Sequence, residues 1–201
     1  MMTGHILQKY YLNNKFRFYR GGNNIMAKNL YTSYYPSPIG ILKITFSANN
    51  VHAIDFADEI NNFKDGNCNG ICFRNKNVRD TYNLIYDQLN QYFTGNRTEF
   101  DLPIIYNGTN FQVKVWKYLT NIPYGEVRSY KQIAQAIGKP QAARAIGNAN
   151  RNNPLAIIIP CHRVVAADKN FSGYIGGTRR KKWLIKHEKK YKYGKSLEIK
   201  I

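Results

Sequence analysis

The chain has 201 residues, 43% of them hydrophobic, with 30 lysines and arginines against 12 acids and a formal net charge of +18. That is long enough for one large or two small domains with a real core, and too basic for an acidic solvating or activation segment. No apolar run approaches the ~18 residues of a membrane span, and three cysteines (Cys68, Cys72, Cys161) leave an odd thiol rather than a disulfide framework. A reducing, cytoplasmic setting is expected.

Residues 1–28 are polar and aperiodic and read as an N-terminal extension; Met26, followed by Ala27 and Lys28, is a second plausible chain start. No signal-peptide h-region interrupts them. From Leu30 the pattern turns to short β-branched and aromatic runs. Leu30–Tyr35, Ile41–Phe46 and Val51–Phe56 are separated by Pro36-Ser37-Pro38-Ile39-Gly40 and by Asn49-Asn50, which predicts a small antiparallel sheet. Residues 61–77 are polar and loop-like. Val78, Tyr82, Leu84, Ile85, Leu89, Tyr92 and Phe93 recur at helical spacing up to Gly95, and Phe100–Ile105 reads as a last edge strand.

After Tyr106 the chain changes character. Nineteen of the lysines and arginines fall there, against four acids (Glu126, Asp168, Glu188, Glu198). A charge surplus so placed suits a polyanion partner, although a solvated basic face would look the same. Phe111, Val115, Trp116, Leu119 and Ile122 predict a helix before Pro123-Tyr124-Gly125. Ser129 caps a second helix through Ile137, closed by Gly138, and Pro140 opens a third over Gln141–Asn150. Two short helices joined this way form a helix-turn-helix pattern. The third helix is mostly Ala and Gly with one long cation, Arg144. Such a surface suits close approach to the minor groove, or tight packing on a neighbouring helix.

The most informative segment is Leu155–Val165. Leu155, Ile157, Ile158 and Ile159 predict a buried strand, and Pro160 stops it where Cys161, His162 and Arg163 follow. Cationic neighbours and the basic field favour a thiolate, and Glu188 in a last helix (Arg179 to about Lys190) is placed to orient His162. On spacing alone Cys161 is equally well a buried free cysteine.

Three further stretches narrow the choice: Ile122-Pro-Tyr-Gly-Glu-Val-Arg-Ser-Tyr130, Ala142–Asn150 with Asn153-Pro154, and Pro160-Cys-His-Arg-Val164. With Gly173-Tyr174, Gly176-Gly177 and Trp183-Leu184…His187-Glu188 they closely resemble the methylated-DNA–protein-cysteine methyltransferases, the 6-O-alkylguanine-DNA alkyltransferases. The likeness runs from about Phe111 to Glu188. The hairpin at Ser37–Gly40 looks like the first domain of that family.

The resemblance implies an α+β chain. A 29–105 unit carries an antiparallel sheet and a helix, and a winged helix-turn-helix-like unit over 106–201 carries the cysteine and a basic tail. It implies a DNA repair protein that acts once. Cys161 would take a methyl or alkyl group from 6-O-alkylguanine, or 4-O-methylthymine, in double-stranded DNA. His162, Glu188 and a water would hold the thiolate, Asn153 would brace the turn, and Tyr130 would donate to the departing base. Arg144 would fill the stack left by the flipped nucleotide, which must leave the helix to meet a sulfur. Tyr130, Ala142, Ala145, Gly147, Asn148 and Arg151 would join Arg144 at the DNA. Pro160, Val164, Tyr174, Ile175 and Gly176 would line the alkyl pocket, with Ile175 bulkier than the small residue common there. A monomer without cofactor or membrane contact is implied. Two rival classes fit less well. Alkyltransferase-like binding modules lack the acceptor thiol, and a thiol hydrolase has no use for an Arg144-bearing helix. Cys68 and Cys72 form one Cys-x3-Cys pair with no second pair, so no metal is expected. The basic Lys189–Lys195 run would add diffuse phosphate attraction.

Overall fold

Alternating apolar residues build the sheet in the N-terminal half. The computed structural model describes residues 19–20, 30–57, 75–166 and 174–194. Its sheet has the order β1 (Tyr19–Arg20), β2 (Tyr31–Ser37), β3 (Gly40–Phe46) and β4 (Val51–Phe56), all pairs antiparallel. The period of two puts Tyr31, Ser33 and Tyr35 of β2 and Leu42, Ile44 and Phe46 of β3 on the buried face. Helix α1 (Lys76–Phe93) covers that face with Val78, Tyr82, Ile85, Leu89 and Tyr92. It begins two residues before the first periodic apolar position because the Asn75 side chain accepts from the amides of Asn77 and Val78.

The far edge of β4 is taken up by two distant segments. Val51 bonds Pro103 and Ile105, and Ile54 bonds Pro154 and Ala156. The predicted Phe100–Ile105 strand is therefore reduced to a parallel bridge between Val51 and Ile104. The Leu155–Ile159 run is not a strand either. The Ile159 amide donates to the Leu155 carbonyl at 2.9 Å, and Ile157 sits at φ 75, closing a tight apolar turn. A β-branched residue there costs about 1–3 kcal/mol. Every residue from Leu155 to Ile159 is buried, so it was burial, not strand pairing, that the apolar run encoded.

The C-terminal half stacks α2 (Asn110–Leu119), α3 (Tyr130–Ala136) and α4 (Ala143–Arg151). Two capping boxes, Thr109 with Gln112 and Ser129 with Gln132, start α2 and α3. Helix α4 begins two residues later than the sequence suggests: Pro140 and Gln141 lie in the preceding turn, and the Ala142 amide donates to Lys139. Trp116 is buried and its indole donates to the Ala149 carbonyl at 2.8 Å, locking α2 to α4. Strands β5 (Arg128–Ser129) and β6 (Val164–Val165) pair in parallel, and a 3-10 turn at Cys161–Arg163 leads directly into β6. Residues 167–173, between β6 and the last helix, lie outside the described residues. The last helix, α5 (Gly177–Tyr193), starts before the expected Arg179, and Arg180 ties it to the β2–β3 hairpin by donating to the Ile39 carbonyl at 2.8 Å.

Candidate active site

Cys161 opens the 3-10 turn, 2% exposed. The Asn153 side chain organises everything around it. Its amide nitrogen donates to Sγ of Cys161 at 2.9 Å and to the Ile159 carbonyl at 2.8 Å, while its oxygen accepts from the Leu155 amide at 3.0 Å. One side chain thus closes the apolar turn and touches the thiol. Asn150, one helical turn earlier, donates weakly to the Cys161 carbonyl at 3.5 Å.

His162, the next residue, meets Glu188. Its Nε2 lies 2.8 Å from Oε1 of Glu188, with both side chains buried. Glu188 also accepts from the Tyr92 hydroxyl (2.8 Å), the Gly125 amide (2.9 Å), and Nε and Nη2 of Arg163 (2.9 and 3.0 Å). Burial alone would raise this carboxyl, but His162 and Arg163 outweigh it and hold it well below the usual carboxylate range. Burial lowers the His162 imidazole, against the pull of Glu188, so the ring is neutral at pH 7. An ionised Glu188 can only accept, so Nε2 carries the proton and Nδ1 is left as a basic nitrogen. That Nδ1 is buried and has no hydrogen-bond partner among the described residues.

The thiol itself departs from expectation. Burial pushes Cys161 up to about 11, despite the Asn153 amide and the Lys181 cation, which both favour the anion. The resting sulfur is a thiol, because desolvation outweighs the basic surroundings that the sequence advertises. Lys181 is 1% exposed, and burial brings its ammonium down to about 8, with the Cys161 charge opposing.

Residues 110–190 match the model for the DNA binding domain of 6-O-methylguanine DNA methyltransferase, and residues 30–106 match its ribonuclease-like domain. A solved structure of Mycobacterium tuberculosis OGT in complex with DNA superposes with a TM-score of 0.66 at 40% identity, covering 79% of this chain and 92% of that one. This chain belongs to the 6-O-methylguanine DNA methyltransferase family. The methylated-DNA–protein-cysteine methyltransferase of Mycobacterium tuberculosis strain H37Rv is 57% identical over 103 residues, 51% of this chain and 62% of the relative. The protein of that name from Methanosarcina barkeri is 54% identical over 101 residues, 50% and 64% of the two chains. Those matches span less than two thirds of the relatives' lengths.

Within this methyltransferase fold, the residues expected at the site separate into three places. Cys161, His162, Glu188 and Asn153 come together in one buried cluster. Tyr130, the first residue of α3, is half-buried beside Asn150; burial raises its phenol above the ordinary value, with Asn150 opposing, so it stays a proton donor. On α4 and its end, Arg144, Ala145, Asn148 and Arg151 are exposed, while Ala142 and Gly147 are half-buried. Of the expected pocket residues, Pro160, Val164, Tyr174 and Gly176 are buried, but Ile175 is 53% exposed. A Cβ on Gly176 would meet the Phe56 ring at 2.4 Å, so only glycine lets that ring and Tyr174 close together.

Gly173, Cys68, Cys72 and the Lys195 end of the tail lie outside the described residues. Among the described residues no cluster of His, Cys, Asp and Glu could hold a metal, and no helix is long and apolar enough to cross a membrane. Sequence reasoning missed Tyr92, Gly125 and Lys181. Gly125 follows a Pro-Tyr pair and has φ 75, a turn signal that marks where its amide would point, but nothing local ties Tyr92 to Glu188. Lys181 stands seven residues before Glu188, on the same face of α5, a helical spacing that could have revealed it.

Proposed function

We propose that this chain repairs double-stranded DNA by moving the alkyl group of 6-O-alkylguanine, and of 4-O-methylthymine, irreversibly onto Sγ of Cys161. The observation that carries this reading is the Asn153 amide on Sγ, beside a neutral His162 whose other nitrogen is fixed by Glu188. The proton of Cys161 passes through one water to Nδ1 of His162, and the imidazolium that forms is balanced by Glu188. The thiolate attacks the alkyl carbon in line. The S–C bond forms as the C–O bond breaks, and the electron pair leaves on the base.

Tyr130 donates to that base as its basicity rises, which is general-acid assistance. The damaged nucleotide reaches the sulfur only when extruded, at a cost of a few kcal/mol, and Arg144, exposed on α4, occupies the gap in the stack. Ala142, Ala145, Gly147, Asn148 and Arg151 present a low-relief surface to the groove. Pro160, Val164, Tyr174 and Gly176 shape the pocket, with Ile175 at its rim. The resting thiol with a high pKa agrees with this scheme, since a sulfur ionised only with substrate in place is protected from stray electrophiles.

The 29–105 unit serves as scaffold and the 106–201 unit carries DNA binding and chemistry, in a cytoplasmic monomer needing no cofactor. A duplex carrying radiolabelled 6-O-methylguanine tests the reading. Label should move to protein, stop at one equivalent, and be lost in Cys161→Ala. Continuing turnover, or binding without transfer, overturns it.

A further inference from the structure

Helix α5 has two faces of opposite character. Lys181, Leu184, Ile185 and Glu188 point into the protein. Arg179, Lys182, Lys186 and Lys189 recur at intervals of three and four on the other side, with Lys190 next to Lys189; four of the five are exposed and Lys189 is half-buried. At 100° per residue they occupy an arc of about 100°, centred about 150° around the helix from Glu188, and they run along about 16 Å of helix. Glu188 is the single acid of α5 and faces inward, so the helix itself offers no counter-charge to this ridge. Like charges at i,i+4, as in Lys182–Lys186 and Lys186–Lys190, cost a few tenths of a kcal/mol each in an isolated helix. A regularly spaced polyanion repays that cost. A phosphodiester backbone does so by releasing counterions. A lipid surface fits poorly, because the apolar side of α5 is packed into the core and cannot insert.

We propose that the outward face of α5 is an auxiliary binding ridge for the phosphates of double-stranded DNA, separate from the α3–α4 helix-turn-helix. The inference rests on the DNA-repair reading above, and the ridge would supply affinity without base readout. Arg179, Lys186 and Lys190 form its crest.

The test compares the full chain with the triple variant Arg179→Gln, Lys186→Gln, Lys190→Gln, and with a charge-matched control, Lys43→Gln, Lys76→Gln, Arg79→Gln. The probe is an unmodified duplex oligonucleotide titrated at several salt concentrations. The crest variant should bind about tenfold or more weakly at moderate salt. Its log K against log[salt] slope should fall by about 0.9 for each phosphate that the variant no longer neutralises. The control should stay near wild type, and transfer from free 6-O-methylguanine base should be unchanged in both. A crest variant that matches the control overturns the ridge. So does one that loses binding to anionic phosphatidylserine vesicles while keeping its affinity for DNA. Wild-type protein that neither binds the duplex nor takes up alkyl label would instead sink the repair reading itself.

Discussion

The hydroxyl of Tyr92, at the end of α1, donates at 2.8 Å to the same Glu188 oxygen that holds His162. The ring packs on Tyr124 and His187, and its backbone carbonyl lies 2.8 Å from Nε2 of His187. A residue from the sheet-bearing half thus helps fix the histidine that follows the cysteine in the other half. Tyr92→Phe keeps the ring and removes only the donor. A hydrogen bond to a charged group is worth about 1.5–3 kcal/mol. Urea unfolding should show a loss in that range, and the acid limb of the transfer-rate profile should move to higher pH as Glu188 becomes easier to protonate. A stability loss with an unshifted profile would reduce Tyr92 to a packing residue.

Glu188→Gln leaves the Arg163 cation buried without its counter-charge, and removing one partner of such a pair costs about 3–5 kcal/mol. The pH dependence has a definite sign. The folded pKa of Glu188 is depressed, so its contribution is complete above the unfolded value of about 4.3 and is lost as pH falls from there through the folded value. The stability gap between wild type and Glu188→Gln should therefore be constant near neutrality and shrink below about pH 4. A gap that widens in acid would refute the assignment.

The ultraviolet thiolate signal of wild type, corrected by subtracting Cys161→Ala, should titrate with a midpoint near 11. Lys181, brought down to about 8, is largely neutral at that pH, so Lys181→Met should leave the midpoint in place, and Lys181→Arg, which keeps its charge, should move it downward. A midpoint near neutrality would mean the sulfur is stored as an anion.

Tyr130→Phe should slow single-turnover transfer by about a hundredfold, the lower end of general acid–base contributions, while duplex affinity changes little. Equal losses in rate and binding would remove its role at the leaving base.

Arg144→Ala should slow repair of duplex substrate by about tenfold, a fraction of the few kcal/mol that extrusion costs, and leave transfer from the free alkylated base within about twofold. Equal sensitivity of both substrates would end the stack-filling role.

Much of this was legible in the sequence because it is local. Ser129 marks the start of a helix as its cap, the spacing of Val78 to Phe93 gives α1 its buried face, and scarcity of acids singled out Glu188. What failed was non-local. Leu155–Ile159 has the composition of a strand, yet its backbone is claimed by Asn153 and by Ile54 from the opposite half. The surplus of lysine and arginine suggested an ionised Cys161, but desolvation depends on how many atoms surround the sulfur, which no charge count records.

Glu188 gathers its donors from α1, the Gly125 turn and the Cys161–Arg163 turn, so its geometry is shared property of both halves. Exchanging either half with that of a divergent relative would split this arrangement between strangers. Successful chimaeras should be those in which the donor at 92 and the acceptor at 188 travel together, which makes the pair a unit of inheritance rather than two separate positions.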